Sequence, residues 1–305
     1  MGFRFQYLRG DLLENRAYGN QAVLARACGV RTEQLKIFAR YQHGFGISAY
    51  WPDDRIPSIS WSKHVENAGR RQGFFDIYSI GSPIIYFDSS QFEITKFTRN
   101  YNNYSLCIAP HSVFNSDRNI FQSQDFKSYF PGFDGENAIE FFAKKCLDES
   151  NYPPLVLLYY KDATPKVTLE FKRMGLEVVT LGDGVFDKTN QENYFNRLVE
   201  LLIHSQEMLV CDASTLWVYG GYLKKRIKSI SDSNFNMILE KVVEFFDGAD
   251  PGKDDFFELL NGKDSKKSRE ELMQIFGSNS MQAALKRRMT FARVSAKNGM
   301  RKILR

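Results

Sequence analysis

The chain has 305 residues, 43% of them hydrophobic and 25% charged, an ordinary globular composition with room for two domains. No apolar stretch reaches the roughly 20 residues that cross a bilayer, and the first residues contain no long apolar segment typical of a signal peptide. The four cysteines form no CxxC pair, so we expect a reducing, cytoplasmic setting and no cysteine metal site. Cys107 and Cys211 lie in apolar runs and are predicted to be buried thiols.

The formal net charge of +5 is concentrated at the C-terminus. Residues 281–305 contain eight Lys and Arg and no acid, which leaves 33 basic against 36 acidic residues in the rest of the chain. Apolar residues follow one helical face of this tail, as in a basic amphipathic helix that lies on an anionic membrane surface. The alternative is a solvated terminal helix. Nucleic-acid binding would rest on the tail alone, so no nucleic-acid partner is expected.

The first hundred residues predict a short α/β domain with few elements. Gly29 is expected to end a helix, and Gly44 and Gly81 are expected in turns that follow strands. The predicted elements are a helix over 20–30, a strand over 33–42, a helix over 61–73 and a strand over 75–83.

Strand and helix patterns alternate between residues 101 and 250 without a hairpin signal. Short, nearly continuous apolar runs are typical of strands buried on both faces, as in parallel sheets covered by helices. We therefore predict an α/β fold of Rossmann-like units, with a helical extension over 251–305 that ends in the basic tail. The predicted strands are 104–112, 153–160, 176–184, 207–212 and 227–230, and the predicted helices are 134–150, beginning near Asp134 or Gly135, 166–175, 190–206 and 213–226.

Residues that follow the predicted strands are the candidates for function, because parallel sheets bind ligands beyond the carboxyl ends of their strands. His43, in QHGFG, and His111, in APHSV, both occupy such positions. A neutral imidazole removes a proton from a hydroxyl near neutral pH, and an imidazolium neutralises a phosphate oxygen. A structural histidine in a turn is the alternative for each. Two histidines at separate strand ends favour a functional role for at least one.

The stretch CDASTLW ends one predicted strand and begins a predicted helix. The hydroxyls of Ser214 and Thr215, with the N–H groups of the first helical turn, have the chemistry of a phosphate site. The alternative is that Asp212 or Ser214 only caps the helix. Lys161, after another strand, is either a phosphate partner or a solvated charge. No DxD triplet of the metal-binding kind occurs in the sequence.

Several stretches together resemble the GT-B glycosyltransferases and glycerophosphotransferases of bacterial surface-polysaccharide assembly. They are QHG at 42–44, the segment 62–87 that ends in IGSPIIYF, IAPHS at 108–112, and VCDASTLWVYGGYLKKRI at 210–227. The resemblance is one of pattern and spans about residues 39–245. It implies two Rossmann-like domains: an acceptor-side domain over 1–100, short for its kind, and a nucleotide-donor domain over 101–250.

The resemblance also implies roles for individual residues. His43 would be the base that deprotonates the acceptor hydroxyl. His111 and Ser112 would contact the donor phosphate, and Ser214 with Thr215 would hold it at the helix N-terminus. These fixed donors, rather than a metal or another cofactor, would stabilise the departing nucleotide phosphate.

Two positions depart from the family pattern. Tyr219 stands where the family usually carries a ribose-binding Glu, and LKKR replaces LGKP at 223–226. We predict a cytoplasmic, membrane-peripheral transferase that moves a sugar from a nucleotide-sugar donor to a glycan or lipid-linked acceptor of capsule, O-antigen or similar lipopolysaccharide. The alternative is a catalytically silent GT-B-like subunit that binds a glycan or a partner enzyme.

Overall fold

The protein contains two compact units, each with its own parallel sheet. The first comprises Met1–His43, Ser48–Tyr86 and Gly262–Arg305, and the second comprises Gly44–Ile47 and Phe87–Asn261. The predicted α/β class with parallel sheets is therefore confirmed. The computed structural model describes residues 17–35, 37, 40–42, 58–71, 77–88, 97–98, 101, 103–110, 113–114, 122–134, 137–184, 187–212, 214–231, 257–258 and 260–276.

The first unit has a three-stranded parallel sheet in the order β1-β2-β3. Helix α1 ends close to the predicted Gly29, which has a φ of +67°. The predicted helix over 61–73 and strand over 75–83 are both present in shorter form. The elements are α1, Asn20–Ala27; β1, Arg40–Tyr41; β2, Ser58–Ser60; α2, Lys63–Arg71; and β3, Ile77–Ser79.

The strand predicted over 33–42 is wrong at its start. Thr32–Gln34 form a 3-10 turn, and among the described residues of this stretch the sheet pairing is made by Arg40–Tyr41. The side-chain oxygen of Gln34 accepts a hydrogen bond of 3.0 Å from the backbone N–H of Arg31, which closes the turn. Such a local side-chain bond competes with extended backbone, and the apolar pattern of this stretch does not reveal it.

The second unit has a five-stranded parallel sheet in the order β6-β5-β4-β7-β8. Every strand and helix predicted between 104 and 230 is present with shifted ends, and α3 is an additional helix. The strands are β4, Tyr104–Ile108; β5, Pro154–Leu158; β6, Glu177–Thr180; β7, Ser205–Val210; and β8, Arg226–Ser229. The helices are α3, Gln122–Tyr129; α4, Ala138–Glu149; α5, Pro165–Arg173; α6, Lys188–His204; and α7, Thr215–Tyr222.

Helix α4 begins later than the predicted start at Asp134 or Gly135. Asn137 is its N-cap, and the side-chain oxygen of Asn137 accepts hydrogen bonds of 3.1 Å from the N–H groups of Ile139 and Glu140. An asparagine that satisfies two N–H groups of the first turn fixes the helix start at its own position.

Helices cover both faces of the five-stranded sheet. On one face, Cys107 and Leu209 belong to a core filled by phenylalanines of α3, α4 and α5. On the other face, the hydroxyl of Tyr104 donates to the carbonyl of Leu201 in α6 at 2.7 Å. All four cysteines are buried, so the predicted burial of Cys107 and Cys211 is confirmed.

A buried carboxylate joins the strands at the amino end of this sheet. Glu207 accepts hydrogen bonds of 2.7 Å from the hydroxyl of Ser105 and from both the backbone and side-chain N–H groups of Asn151. Burial alone would raise the pKa of Glu207, but these hydrogen bonds and Arg226 outweigh it and hold that pKa below its usual value. The Ser105 hydroxyl and the Glu207 carboxylate, at the amino end, are thus hydrogen-bonded within the protein.

The C-terminal segment returns to the first unit. It contains a 3-10 turn, Lys263–Ser265, and helix α8, Arg269–Phe276. The Arg269 guanidinium donates to the carbonyl of Cys28 at 2.9 Å. No helix of the described residues is long and apolar enough to cross a membrane. The basic tail, 281–305, lies outside the described residues, so its membrane contact stays a prediction.

Candidate functional site

The order of the strands places a switch point between β4 and β7. From β4 the chain runs outward to β5 and β6, and it then returns to the other side of β4 to form β7 and β8. Open parallel sheets bind ligands at such a point, beyond the carboxyl ends of the strands. The two strand ends are in contact, since the Cys211 thiol donates to the carbonyl of Ile108 at 3.6 Å.

Four of the five predicted site residues that the structure describes follow strands of this sheet. Gly81 instead belongs to the first unit, where it follows β3 with a φ of +89°. His43, Gly44, His111 and Ser112 lie outside the described residues, so their roles stay predictions. The remaining ones are Lys161, which follows β5, and Asp212, Ser214 and Thr215, which follow β7.

Ser214 is the N-cap residue of α7, but its side chain does not cap the helix. Its backbone is extended, with φ −105° and ψ 174°, and no hydrogen bond joins its hydroxyl to the first turn. In the same unit, Asn137 and Thr164 both cap their helices through their side chains. Capping of α7 by the Ser214 side chain, one form of the structural alternative, is therefore absent.

The Ser214 hydroxyl is also shielded from solvent. Within the part of the chain that the structure describes, its oxygen has no hydrogen-bond partner. A buried polar group without a partner costs about 1–3 kcal/mol, so such groups are rare and call for a physical reason. The hydroxyl stands beside Thr215, the partly buried first residue of α7, where the helix dipole favours an anion.

Asp212 lies two residues before Ser214, at the same edge of the sheet. Burial raises the pKa of Asp212 above its usual value. Burial, and then the nearby Asp212, also raise the pKa of Cys211 well above its usual value. A buried thiol with a raised pKa is a poor nucleophile, so Cys211 fits the structural role predicted for it.

Lys161 lies at the same edge, at the end of β5. Its side chain is exposed, and its ammonium nitrogen is 5.7 Å from the centre of the Tyr160 ring. Since β4 separates β5 from β7, Lys161 is two strands away from Ser214. A long, exposed lysine side chain can approach an anion at this edge but is not held there in advance.

Two glycines allow α7 to lie close to its neighbours. A Cβ at Gly220 would be 2.2 Å from the Met208 sulfur, and a Cβ at Gly221 would be 2.1 Å from the ring of Phe257. The Trp217 ring packs on the same phenylalanine, with centroids 5.1 Å apart. These contacts fix α7, and with it the position of Ser214.

The two positions that depart from the GT-B sequence pattern, Tyr219 and the stretch 223–226, have structural roles in this chain. Tyr219 is only 2% exposed, and its ring centroid is 6.0 Å from that of Phe195 in α6. Lys224 adopts a φ of +56°, and the ammonium of Lys225 donates to the carbonyl of Ser205 at 2.9 Å. Position 219 therefore supplies helix packing rather than a carboxylate for a ribose.

Ser231 was not predicted as a site residue. It comes two residues after β8, and its hydroxyl oxygen, like that of Ser214, is buried without a hydrogen-bond partner among the described residues. Its position directly after the predicted strand 227–230 is the signal that could have identified it.

The chain matches no protein-family model, no curated protein and no solved structure. In the described ranges, no group of three or more His, Cys, Asp or Glu is placed to hold a metal ion.

Proposed function

We propose that the chain is a cytoplasmic, membrane-peripheral glycosyltransferase of the two-domain GT-B type. Its second unit binds a nucleotide-sugar donor, and its first unit carries the acceptor side for a bacterial surface glycan. The observation that supports this function most directly is the Ser214 hydroxyl, which is buried at the start of α7 and has no partner among the described residues.

The chemistry of this position suits the phosphate of a nucleotide. A phosphate oxygen would accept a hydrogen bond from the Ser214 hydroxyl and would gain from the dipole of α7. In sugar transfer the leaving nucleotide gains negative charge on its phosphate, and donors fixed before the reaction stabilise that charge. The contacts of Gly220 and Gly221 hold α7 in place, so little reorganisation is needed.

The other roles follow from the sequence resemblance. His43 is proposed as the base for the acceptor hydroxyl, and His111 with Ser112 as contacts of the donor phosphate. Thr215 and Lys161 are proposed as further phosphate contacts. The reaction is proposed to proceed without a metal or another cofactor.

Ser214→Ala tests the donor site through nucleotide binding. We expect uridine or cytidine nucleotides, alone or sugar-linked, to raise the unfolding temperature of the wild type. The variant is expected to bind them about tenfold more weakly, a loss of about 1.4 kcal/mol. Because the lost hydroxyl has no partner among the described residues, the empty variant should be as stable as the wild type or more so.

The matched control for this experiment is Ser205→Ala. The Ser205 hydroxyl is buried and donates to the carbonyl of Leu202 at 2.8 Å, at the amino end of the sheet. Its loss is expected to lower stability and to leave nucleotide affinity unchanged. Failure of every nucleotide to stabilise the wild type, or equal binding by wild type and Ser214→Ala, would contradict the proposed function.

The burial of Tyr219 favours the alternative of a silent binding subunit, because it leaves a family ribose contact unfilled. His43→Ala separates the two functions. For a transferase, the variant should lose at least about a hundredfold in the rate at which a nucleotide sugar releases its nucleotide, with nucleotide affinity retained. For a silent subunit, the wild type binds but shows no release, and the substitution changes nothing.

A further inference from the structure

The amino end of the five-stranded sheet carries a run of basic residues. Helices α4, α6 and α7 end there, and strands β5, β7 and β8 begin there. The LKKR stretch that departs from the GT-B pattern leads from α7 into β8, an edge strand of the sheet. The basic residues of this turn and strand are Lys224, Lys225, Arg226 and Lys228. Of these, Lys224 and Arg226 are exposed.

Contacts of the basic stretch 224–228 join it to the ends of two helices. The ammonium of Lys225 donates to the carbonyls of Ile203 at 2.6 Å and Ser205 at 2.9 Å, where α6 passes into β7. The ammonium of Lys228 pairs with the carboxylate of Glu149, the last residue of α4. A cation at the end of a helix is also favoured by the helix dipole. The basic stretch is therefore held in a fixed place.

Large apolar side chains are exposed around this stretch. In the described part of the second unit, the exposed ones are Leu147, Tyr152 and Ile203 at the amino end of the sheet, and Leu169 on α5. Tyr152 follows Asn151, whose side chain donates to Glu207 at 2.7 Å. The Arg226 guanidinium lies 3.9 Å from the same carboxylate. Three of the four exposed apolar side chains are thus at the end of the sheet that carries the basic stretch.

The charges at this end of the sheet are positive in sum. The basic residues of the last turns of α4 and of 224–228 are Lys144, Lys145, Lys224, Lys225, Arg226 and Lys228, against the acidic Asp148, Glu149 and Glu207. Six cations against three carboxylates leave a formal charge of +3. Glu207 is buried and Glu149 is paired with Lys228, so Asp148 is the acid of this group that faces solvent alone.

An anionic bilayer matches both properties of this surface. Lipid phosphates attract Lys and Arg side chains, and the boundary between headgroups and acyl chains accepts Leu and Ile. Tyrosine favours the same interface, because its ring is apolar and its hydroxyl is polar. A dissolved polyanion would gain from the cations alone and would leave the apolar side chains in water.

We propose that the amino-end surface, formed by Leu147, Tyr152, Ile203 and the stretch 224–228, docks on an anionic phospholipid membrane. The inference rests on the membrane-peripheral part of the proposed function, and it assigns a membrane contact to the second unit. Lys224 and Arg226 contact lipid phosphates, and the three apolar side chains enter the headgroup region. The candidate donor site lies at the opposite, carboxyl end of the same strands, so docking leaves it accessible.

Co-sedimentation of the full chain with vesicles tests this surface. We expect the wild type to bind vesicles of phosphatidylcholine with phosphatidylglycerol and not those of phosphatidylcholine alone. Lys224→Gln with Arg226→Gln should weaken binding about tenfold, since each cation near an anionic surface contributes about fivefold and Glu207 offsets part of Arg226. Leu147→Gln with Ile203→Gln should weaken it by about the same factor without a change of charge.

The matched control makes the same changes on α5. Lys166→Gln with Lys172→Gln removes two exposed cations, and Leu169→Gln removes the exposed apolar side chain of that helix. These variants should bind the anionic vesicles within about twofold of the wild type. Because every substituted side chain is exposed, the unfolding temperature and nucleotide affinity should stay unchanged in all variants.

Three results would overturn the proposed surface. Equal weakening by the charge variants of α5 and of the amino end would mean that total charge decides binding. Unchanged binding by the Leu147 and Ile203 variant would mean that no apolar side chain enters the bilayer and that the surface only attracts polyanions. Unchanged binding by both amino-end variants would mean that the tail 281–305 suffices.

Nucleotide binding separates this proposal from the donor site. If nucleotides bind the wild type but anionic vesicles do not, the amino-end surface is wrong and the donor site stands. If vesicle binding depends on the amino-end residues while no nucleotide binds, the donor site is wrong and the surface stands.

Discussion

Glu66→Ala is expected to destabilise the first unit by about 3 kcal/mol, because it removes the carboxylate that joins α2 to β3. Glu66 is only 5% exposed. One carboxylate oxygen accepts from the N–H and the hydroxyl of Ser79, at 3.0 and 2.7 Å. The other accepts from Lys63 at 2.9 Å and Arg70 at 3.1 Å. Those cations are about half exposed, so the loss should lie at the low end for a broken buried pair.

The same carboxylate gives this loss a pH dependence. Burial alone would raise the pKa of Glu66, but hydrogen bonds from Lys63 and Ser79 outweigh it and hold that pKa below its usual 4.5. The folded state therefore binds the proton less tightly than the unfolded chain does. The contribution of Glu66 is complete at neutral pH and is lost as the pH falls below about 4.5. The difference between wild type and variant should shrink over that range.

Urea unfolding at several pH values measures the loss, and hydrogen exchange over residues 63–86 localises it to the first unit. Glu170→Ala is the matched control, since Glu170 pairs with Arg173 at 2.8 Å on the exposed face of α5, at the same spacing as Lys63 and Glu66. It should change stability by less than about 0.5 kcal/mol. Equal losses for the two variants would contradict the role given to Glu66.

Glu66 also helps to hold together the described parts of segment 62–87, one of the stretches on which the sequence resemblance rests. Arg70, which bonds to Glu66, donates a second hydrogen bond of 3.0 Å to the carbonyl of Ile77, the first residue of β3. The charged residues of α2 thus hold the strand that leads to Gly81. Their spacing suits a solvated helix face, so the sequence alone gives no sign that one carboxylate is buried.

The second unit was easier to predict than the first because its local signals agree with its packing. Pro165 begins α5 after the cap Thr164, and Gly175 follows its end with a φ of +81°. Its strands are nearly continuous apolar runs, as expected when both faces are covered. Helix α3 has a weaker pattern, since Phe126 and Phe130 stand among polar residues, and the contacts of those rings with other phenylalanines stabilise it.

The position of the candidate site can be predicted from the sequence, but the hydrogen bonding of its side chains cannot. Because ligands bind after the strands of parallel sheets, Asp212 and Ser214 could be named from the end of one predicted strand. Ser231 reaches the same edge because β8 lies next to β7, and this strand order cannot be read from the sequence. The sequence pattern also does not show that the two hydroxyls lack partners among the described residues, because that depends on atomic contacts.

Gly262→Ala is expected to cost more than 2 kcal/mol in the first unit, because a side chain there meets backbone atoms. A Cβ at Gly262 would be 1.7 Å from the carbonyl oxygen of Trp61, and Gly262 has a φ of +67°. The backbone of Trp61 cannot easily move away from the added methyl group, because two hydrogen bonds hold it in place. Its N–H donates to the side chain of Gln42 at 2.8 Å, and its indole donates to the carbonyl of Gln42 at 3.2 Å.

Two other glycines separate the clash from the backbone strain. Gly175 has a φ of +81° but open space around its Cβ position, so Gly175→Ala should cost only about 1 kcal/mol. Gly132 has open space and no positive φ, so Gly132→Ala should change stability by less than about 0.5 kcal/mol.

Denaturant unfolding ranks the three variants, and hydrogen exchange over residues 58–62 reports on the strand end at Trp61. If Gly262→Ala lowers the free energy of unfolding no more than Gly175→Ala does, the backbone at Trp61 moves easily to make room for the added methyl group. The bonds that Trp61 makes to Gln42, the neighbour of the proposed base His43, would then not hold that strand end.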